Sequence, residues 1–185
     1  LLTGNEIMSG DTVDSNSAMI AQRLGELAIS VYRKVTVGDD VPLLQRELAA
    51  MTAGSDLVIV NGGLGPTIDD LTAEVLAAVA GVGIEEHPVA VAHLQQWCGR
   101  RNLTLNAANM KQALLPAGCT IVDNPVGSAV GFELQVGNCR VICTPGVPSE
   151  LRAMLDGILA SLAQQLQRPV ERNILRLQTF GLGES

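Results

Sequence analysis

Leu57-Val58-Ile59-Val60-Asn61-Gly62-Gly63-Leu64-Gly65-Pro66-Thr67-Ile68-Asp69-Asp70-Leu71-Thr72 is the stretch on which the reading of this chain turns. Four apolar residues in succession are the pattern of a strand covered on both faces, as in a parallel sheet. A glycine-rich loop follows at once, and a helix is predicted over 70–80. Strand, glycine loop and helix form the repeating unit of an open α/β sheet, in which ligands sit beyond the carboxyl ends of the strands. Glycines let the backbone approach a ligand closely, and a helix start offers unpaired N–H groups to phosphate. The spacing is neither Gly-x-Gly-x-x-Gly nor Gly-x-x-x-x-Gly-Lys-Ser/Thr, so the dinucleotide and P-loop fingerprints are absent. On its glycines alone the stretch reads first as a tight turn without a ligand. Asp69-Asp70 change that balance. Carboxylates at a helix start gain from its dipole but would repel a bare phosphate, so a Mg²⁺-like ion bridging the two is the economical explanation.

Outward from this loop, strands and helices alternate. Leu1-Leu2-Thr3 reads as the end of a strand already begun, with a missing N-terminal piece expected before it. A helix is predicted over 15–27, a strand over 29–37, a turn at Gly38-Asp39-Asp40, and a helix entered through Pro42. Helices are expected over 88–101 and 107–114, and a short strand over 120–122. Strands over 131–136 and 139–144 flank the hairpin signal Gly137-Asn138. Ser149 reads as the N-cap of the last helix, with Glu150 in its first turn. Leu151, Met154, Leu155, Ile158, Leu159 and Leu162 give that helix one apolar face. The expected fold is α/β, a mostly parallel sheet with helices on both sides and one antiparallel hairpin. Residues 1–168 are assigned to one ligand-binding domain, and 169–185 to a linker and the first strand (173–180) of a following module.

Composition narrows the function classes. The 185 residues carry a net charge of −7, with 12 basic against 19 acidic residues and no Lys/Arg stripe, which argues against a nucleic-acid partner. No apolar run approaches the roughly 18–20 residues that span a bilayer. Cys98, Cys119, Cys139 and Cys143 form no Cys-x-x-Cys pair and are expected buried and reduced, which favours a cytoplasmic setting. Cys139 and Cys143 would share one face of their strand. Polar groups that could join the cleft are Thr3-Gly4-Asn5-Glu6, Asp14-Ser15-Asn16, Asn109 with Lys111, and the 145–150 loop. Asp39-Asp40 could face the same cleft or serve as solvated turn residues, and Lys111 alone reads as a surface lysine.

The run NGGLGPTIDDLTAE (61–74) is preceded by TGNEIMSGDTVDSN (3–16) and followed by NPVGSAVGF (124–132) and TPGVPSEL (144–151). Together these resemble the CinA-type (competence/damage-inducible) proteins of the wider molybdopterin-binding, MoaB/MogA-like fold. The resemblance implies a three-layer α/β/α domain whose cleft binds a pterin or a nucleotide phosphate. Molybdopterin enzymes of this fold usually carry Gly-Gly-Thr-Gly at the central loop. Here Leu64 stands in place of that Thr and Pro66-Thr67 follows, as in CinA-type chains, so the resemblance favours divalent-metal-dependent (Mg, Mn or Co) hydrolysis of ADP-ribose or related nucleotide pyrophosphates. Asp70 matches the aspartate of the Asp-x-Thr motif. The site expected from loops and resemblance has Asp70, Asp69 and Lys111 in catalysis and Asp39 with Asp70 as metal ligands. Substrate contacts are expected from Gly4, Asn5, Glu6, Asn16, Asn61, Gly62, Gly63, Gly65, Thr67, Thr72, Asn109, Ser128, Pro145, Gly146 and Pro148. Two alternatives stand beside it: a molybdopterin-binding or adenylyl-transferring protein of cofactor biosynthesis, and a non-catalytic domain partnering an amidase for nicotinamide mononucleotide. A small-molecule nucleotide or pterin partner and a homo-oligomer are expected, with no nucleic acid and no membrane.

Overall fold

The computed structural model describes residues 1–166, so the predicted strand over 173–180 and the boundary at 168–169 lie outside the described residues. Eight strands and seven helices follow one another as β1 (Leu2–Thr3), α1 (Asn5–Ser9), α2 (Asn16–Glu26), β2 (Thr36–Val37), α3 (Val41–Ala53), β3 (Leu57–Asn61), α4 (Thr72–Ala80), β4 (Ile84–Glu86), α5 (Pro88–Arg100), α6 (Ala107–Met110), β5 (Leu114–Pro116), β6 (Thr120–Val122), β7 (Gly131–Val136), β8 (Cys139–Thr144) and α7 (Pro148–Leu166). The main sheet has the order β2-β1-β3-β8-β7-β6. Its first four strands are parallel, and β7 runs antiparallel between β8 and β6. β4 and β5 make a separate two-stranded antiparallel ribbon.

The continuous apolar run of β3 is explained by burial on both faces. Val58 and Val60 enter one core with Leu44 and Leu48 of α3 and Leu76 of α4. Leu57 and Ile59 point the other way, toward Ile20 and Leu24 of α2 and the apolar face of α7. The two-residue side-chain period of a strand turns one run into the centre of two cores. β8 repeats the device: Cys139, Val141 and Cys143 face the first core and Ile142 the second. All four cysteines are buried and free. Desolvation pushes the Cys119 thiol up to about 11 and raises Cys139 and Cys143 as well, so these thiols are poor nucleophiles. Among the described residues no helix is long and apolar enough to cross a membrane.

Several predicted elements change. The strand expected over 29–37 forms a ladder only at Thr36–Val37, paired with β1. Tyr32, exposed, bonds instead to the Gly54 carbonyl at 2.8 Å. The helix expected over 107–114 stops at Met110, tightens into a 3-10 turn at Lys111–Ala113, and gives way to β5, which pairs with β4. α4 starts at Thr72 rather than at Asp70, since Asp70 is engaged in the preceding turn through the Thr67 N–H at 2.9 Å. α7 starts at Pro148, a favoured first helical position, and the Val147 carbonyl accepts the Leu151 N–H at 3.0 Å, so Ser149 is not its cap.

Asp39-Asp40 separates into two roles. Asp40 caps α3, its carboxylate accepting the Leu43 N–H at 2.8 Å, while Asp39 turns toward the ends of the parallel strands. Asp40→Ala is expected to cost about 1 kcal/mol. That corresponds to a fall in Tm of about 2–4 °C in a thermal melt. An unchanged Tm would mean the cap carries no net stability.

Candidate functional site

The parallel strands β1, β3 and β8 all end at one edge, where their loops meet the first turns of α1, α2 and α7. A cleft of about 460 Å³ opens there. It collects Gly4 and Glu6 from the first loop, Asn16 from α2, and Asp39 from the turn before α3. It also collects Asn61, Gly62, Gly63, Gly65, Thr67, Asp69 and Asp70 from the central loop, together with Ser128, Pro145, Gly146 and Pro148.

The floor is a network of buried amides. Asn61 Nδ2 donates to the Pro145 carbonyl at 2.7 Å and to Thr144 Oγ1 at 3.1 Å. Asn16 Nδ2 donates to Asn61 Oδ1 at 2.8 Å and to the Gly146 carbonyl at 2.7 Å. The ends of β3 and β8 and the start of α2 are thus tied at one point. Above it the glycine loop is shaped by close approach. Gly62 has φ +108, and a Cβ there would lie 2.6 Å from the Thr3 carbonyl. At Gly65 a Cβ would lie 2.5 Å from Asp70 Oδ2, so a side chain there would push the carboxylate off the loop. The N–H groups of Gly63, Leu64 and Gly65 bond to no other backbone group among the described residues, which suits an anionic ligand.

Among the described residues six carboxylates line the cleft (Glu6, Asp14, Asp39, Asp69, Asp70 and Glu150), and no Lys or Arg does. Thr67 Oγ1 contacts both Asp69 Oδ1 and, at 2.5 Å, Asp70 Oδ2. One hydroxyl hydrogen can serve only one of these two acceptors, and Asp70 Oδ2 also accepts the Thr67 N–H at 2.9 Å, so Thr67 draws both carboxylates to one corner. The Thr67 hydroxyl holds the Asp69 carboxyl below the usual carboxylate range. Asp14 already caps the start of α2 by accepting the Ser17 N–H at 2.8 Å. Asp39 accepts from Thr3 Oγ1 at 2.8 Å and from the Asn5 N–H at 3.1 Å.

Four expected residues lie elsewhere. Lys111 does not line the cleft; its Nζ reaches the outer side of the loop and donates to the Thr67 carbonyl at 2.5 Å and the Asp70 carbonyl at 2.6 Å. Thr72 is buried and donates to the Gly62 carbonyl at 2.8 Å. Asn109 belongs to a reciprocal capping box with Asn106. Asn5 returns the Asp39 contact, its Oδ1 accepting the Asp39 N–H at 3.1 Å.

Gln112 and Asn124 are not among the site residues the sequence points to, while Glu150 enters there as part of the 145–150 loop. Gln112 lines the cleft and donates through Nε2 to the Leu64 carbonyl at 3.3 Å. Glu150 lines it too and accepts from Asn124 Nδ2 at 2.8 Å. Asn124, fully buried, also donates to the Ala129 carbonyl and accepts the Val126 and Gly127 N–H groups, setting the loop that carries Ser128. From outside, α5 holds the same loop: His93 Nε2 lies 3.0 Å from the Gly127 carbonyl, and Trp97 Nε1 donates to the Val126 carbonyl at 3.3 Å. For Asn124 and Glu150 the signal was position inside the motifs at 124–132 and 144–151, whereas Gln112 lies outside every motif and carried none.

Residues 1–165 match the family model described as a probable molybdopterin binding domain. The chain belongs to this family. Within the molybdopterin-binding-domain family it is similar to CinA-like proteins. It is 51% identical to the one from Colwellia psychrerythraea over all of this chain and 43% of that protein. It is 41% identical to the one from Citrifermentans bemidjiense over all of this chain and 44% of that protein. The chain therefore spans less than half the length of these curated relatives. The crystal structure of CinA from Thermoplasma acidophilum, titled as having unknown function, superposes with a TM-score of 0.81 at 35% identity, over 87% of this chain and 95% of that one. The molybdopterin biosynthesis enzyme MoaB from Thermus thermophilus superposes with a TM-score of 0.58 at 21% identity, over 89% and 90% of the two chains, and shares the fold. The three-layer α/β/α architecture of the molybdopterin-binding domain is thus that of this chain.

Proposed function

We propose that this domain is a divalent-metal-dependent nucleotide pyrophosphatase acting on ADP-ribose-like substrates. The observation that carries the reading is the pairing of a glycine-amide cradle with a cleft that, among the described residues, is lined by six carboxylates and no cationic side chain. A diphosphate entering alone would meet amides that favour it and carboxylates that repel it. A divalent cation accompanying it removes the repulsion.

The donor set suits an ion shared with the ligand. Among the described residues no three or more His, Cys, Asp or Glu are grouped so as to hold a metal. Mg²⁺ is commonly held by one or two carboxylates together with substrate phosphates. Asp70 and Asp69, whose carboxylates converge on Thr67 at the cleft, are the residues we assign to it, and Asp39 also lines the cleft. When bound, the ion supplies charge withdrawal from the bridging phosphates. The chain's own part is positioning and electrostatics. The free amides of the loop stabilise phosphate charge. Lys111, by holding the Thr67 and Asp70 carbonyls, keeps the two aspartates beside that cradle. The cytoplasmic setting and homo-oligomeric state belong to the same proposal.

The test is a panel of nucleotide pyrophosphates, ADP-ribose among them, assayed with Mg²⁺, Mn²⁺ and Co²⁺ against a metal-free control. Turnover of ADP-ribose that requires the metal is the expected result. Tight binding of these ligands with no turnover under any metal would instead support a non-catalytic ligand-binding domain. The family description keeps molybdopterin in view as the alternative ligand, and equilibrium binding of the pterin against ADP-ribose separates the two.

A further inference from the structure

The amide network in the cleft floor fixes what the site asks of its ligand on the α2 side. Backbone carbonyls can only accept, so the Pro145 carbonyl requires Asn61 to present its NH₂, which leaves Asn61 Oδ1 as an acceptor. Asn61 Oδ1 and the Gly146 carbonyl then both require donors, and they take both hydrogens of Asn16 Nδ2. Asn16 therefore has no freedom to flip its amide. Its Oδ1 is the acceptor left over, and it is buried with no hydrogen-bond partner among the described residues, on a residue only 7% exposed that lines the cleft.

Resting on the pyrophosphatase reading, we infer that Asn16 Oδ1 selects the substrate by accepting a ribose hydroxyl hydrogen. A phosphate oxygen is itself an acceptor and is unfavourable at this point. At the start of α2 the Ser17 N–H is taken by the Asp14 carboxylate, whose charge also disfavours an anion there. A hydroxyl satisfies the orphan oxygen, and the gain is larger than for an exposed acceptor because the oxygen has already lost its hydration in the free protein. Its approach is flanked by residues 11–15, which are exposed or partly exposed throughout. The opposite wall shows the same logic. The Leu64 carbonyl takes Gln112 Nε2, and Gln112 Oε1 is left buried and unpartnered. The cleft thus divides into a phosphate side, the glycine amides with Asp69-Asp70, and donor-seeking amide oxygens around it.

Equilibrium binding with Mg²⁺ tests this, using ADP-ribose, its analogues lacking single ribose hydroxyls, and inorganic pyrophosphate, which has no sugar. In the wild-type chain at least one deoxy analogue should bind about 10- to 100-fold more weakly than ADP-ribose. In Asn16→Ser and Asn16→Ala that ratio should fall to near one, with pyrophosphate binding weakened clearly less than ADP-ribose binding. Equal affinity of every analogue for the wild-type chain would overturn the inference without any variant. So would a variant that retains the wild-type ratio, or one that weakens pyrophosphate as much as ADP-ribose, since Asn16 would then be only a strut of the cleft. Absence of metal-dependent pyrophosphate binding in the wild type is the separate mark of failure of the parent reading.

Discussion

Asp70→Asn is expected to lower metal-dependent kcat/KM for ADP-ribose by about 100- to 1000-fold, the scale on which removal of one preorganised electrostatic contact acts in other active sites. The replacement is nearly isosteric, and its amide oxygen can still accept the Thr67 N–H that Asp70 Oδ2 now accepts at 2.9 Å. What it removes is one negative charge from the corner where Thr67, Asp69 and Asp70 converge. An effect through charge should appear as weaker dependence on the metal, with far-UV circular dichroism and Tm little changed. Wild-type turnover in Asp70→Asn would end the assignment of the metal to this corner.

Gly62→Ala is expected to cost roughly 2–5 kcal/mol of stability, combining a positive-φ penalty with overpacking. The methyl group would lie 2.6 Å from the Thr3 carbonyl, a backbone atom of β1 that cannot swing aside. Relief would require β1 and β3 to separate at the point where Leu2 pairs with Asn61. The measurement is the urea midpoint, read with the slope held constant. A change below about 0.5 kcal/mol, the scale of an ordinary surface substitution, would show that the loop accommodates a side chain and that its geometry is not fixed.

Much of this architecture is written in local patterns. The unbroken apolar run of β3 announces burial on both faces, Gly137-Asn138 announces the hairpin, and the i, i+3, i+4 spacing of α7 announces a single buried stripe. Those features depend on residues near one another in sequence. β4 was invisible because Ile84, Glu85 and Glu86 are all exposed, and only its pairing with β5 makes it a strand. The site was legible as a set of loops and not as a set of directions. Asp39 and Asp40 are identical neighbours in sequence, and only the start of α3 decides which one caps and which faces the cleft. Lys111 was expected inside, yet two backbone carbonyls of the central loop hold it outside. Gln112 and the free oxygen of Asn16 gain their character from carbonyls of Leu64, Pro145 and Gly146, far away in the chain.

The grip of α5 on the 124–129 loop has a practical consequence. Trp97 is the sole tryptophan of the chain; it touches the Val126 carbonyl and carries the Arg101 guanidinium 4.2 Å above its ring. That loop presents Ser128 and Ala129 to the cleft, so an indole sensitive to its surroundings is coupled to the wall a ligand must touch. Occupancy of the cleft is therefore expected to shift the intrinsic emission of Trp97, which a titration without a label would read.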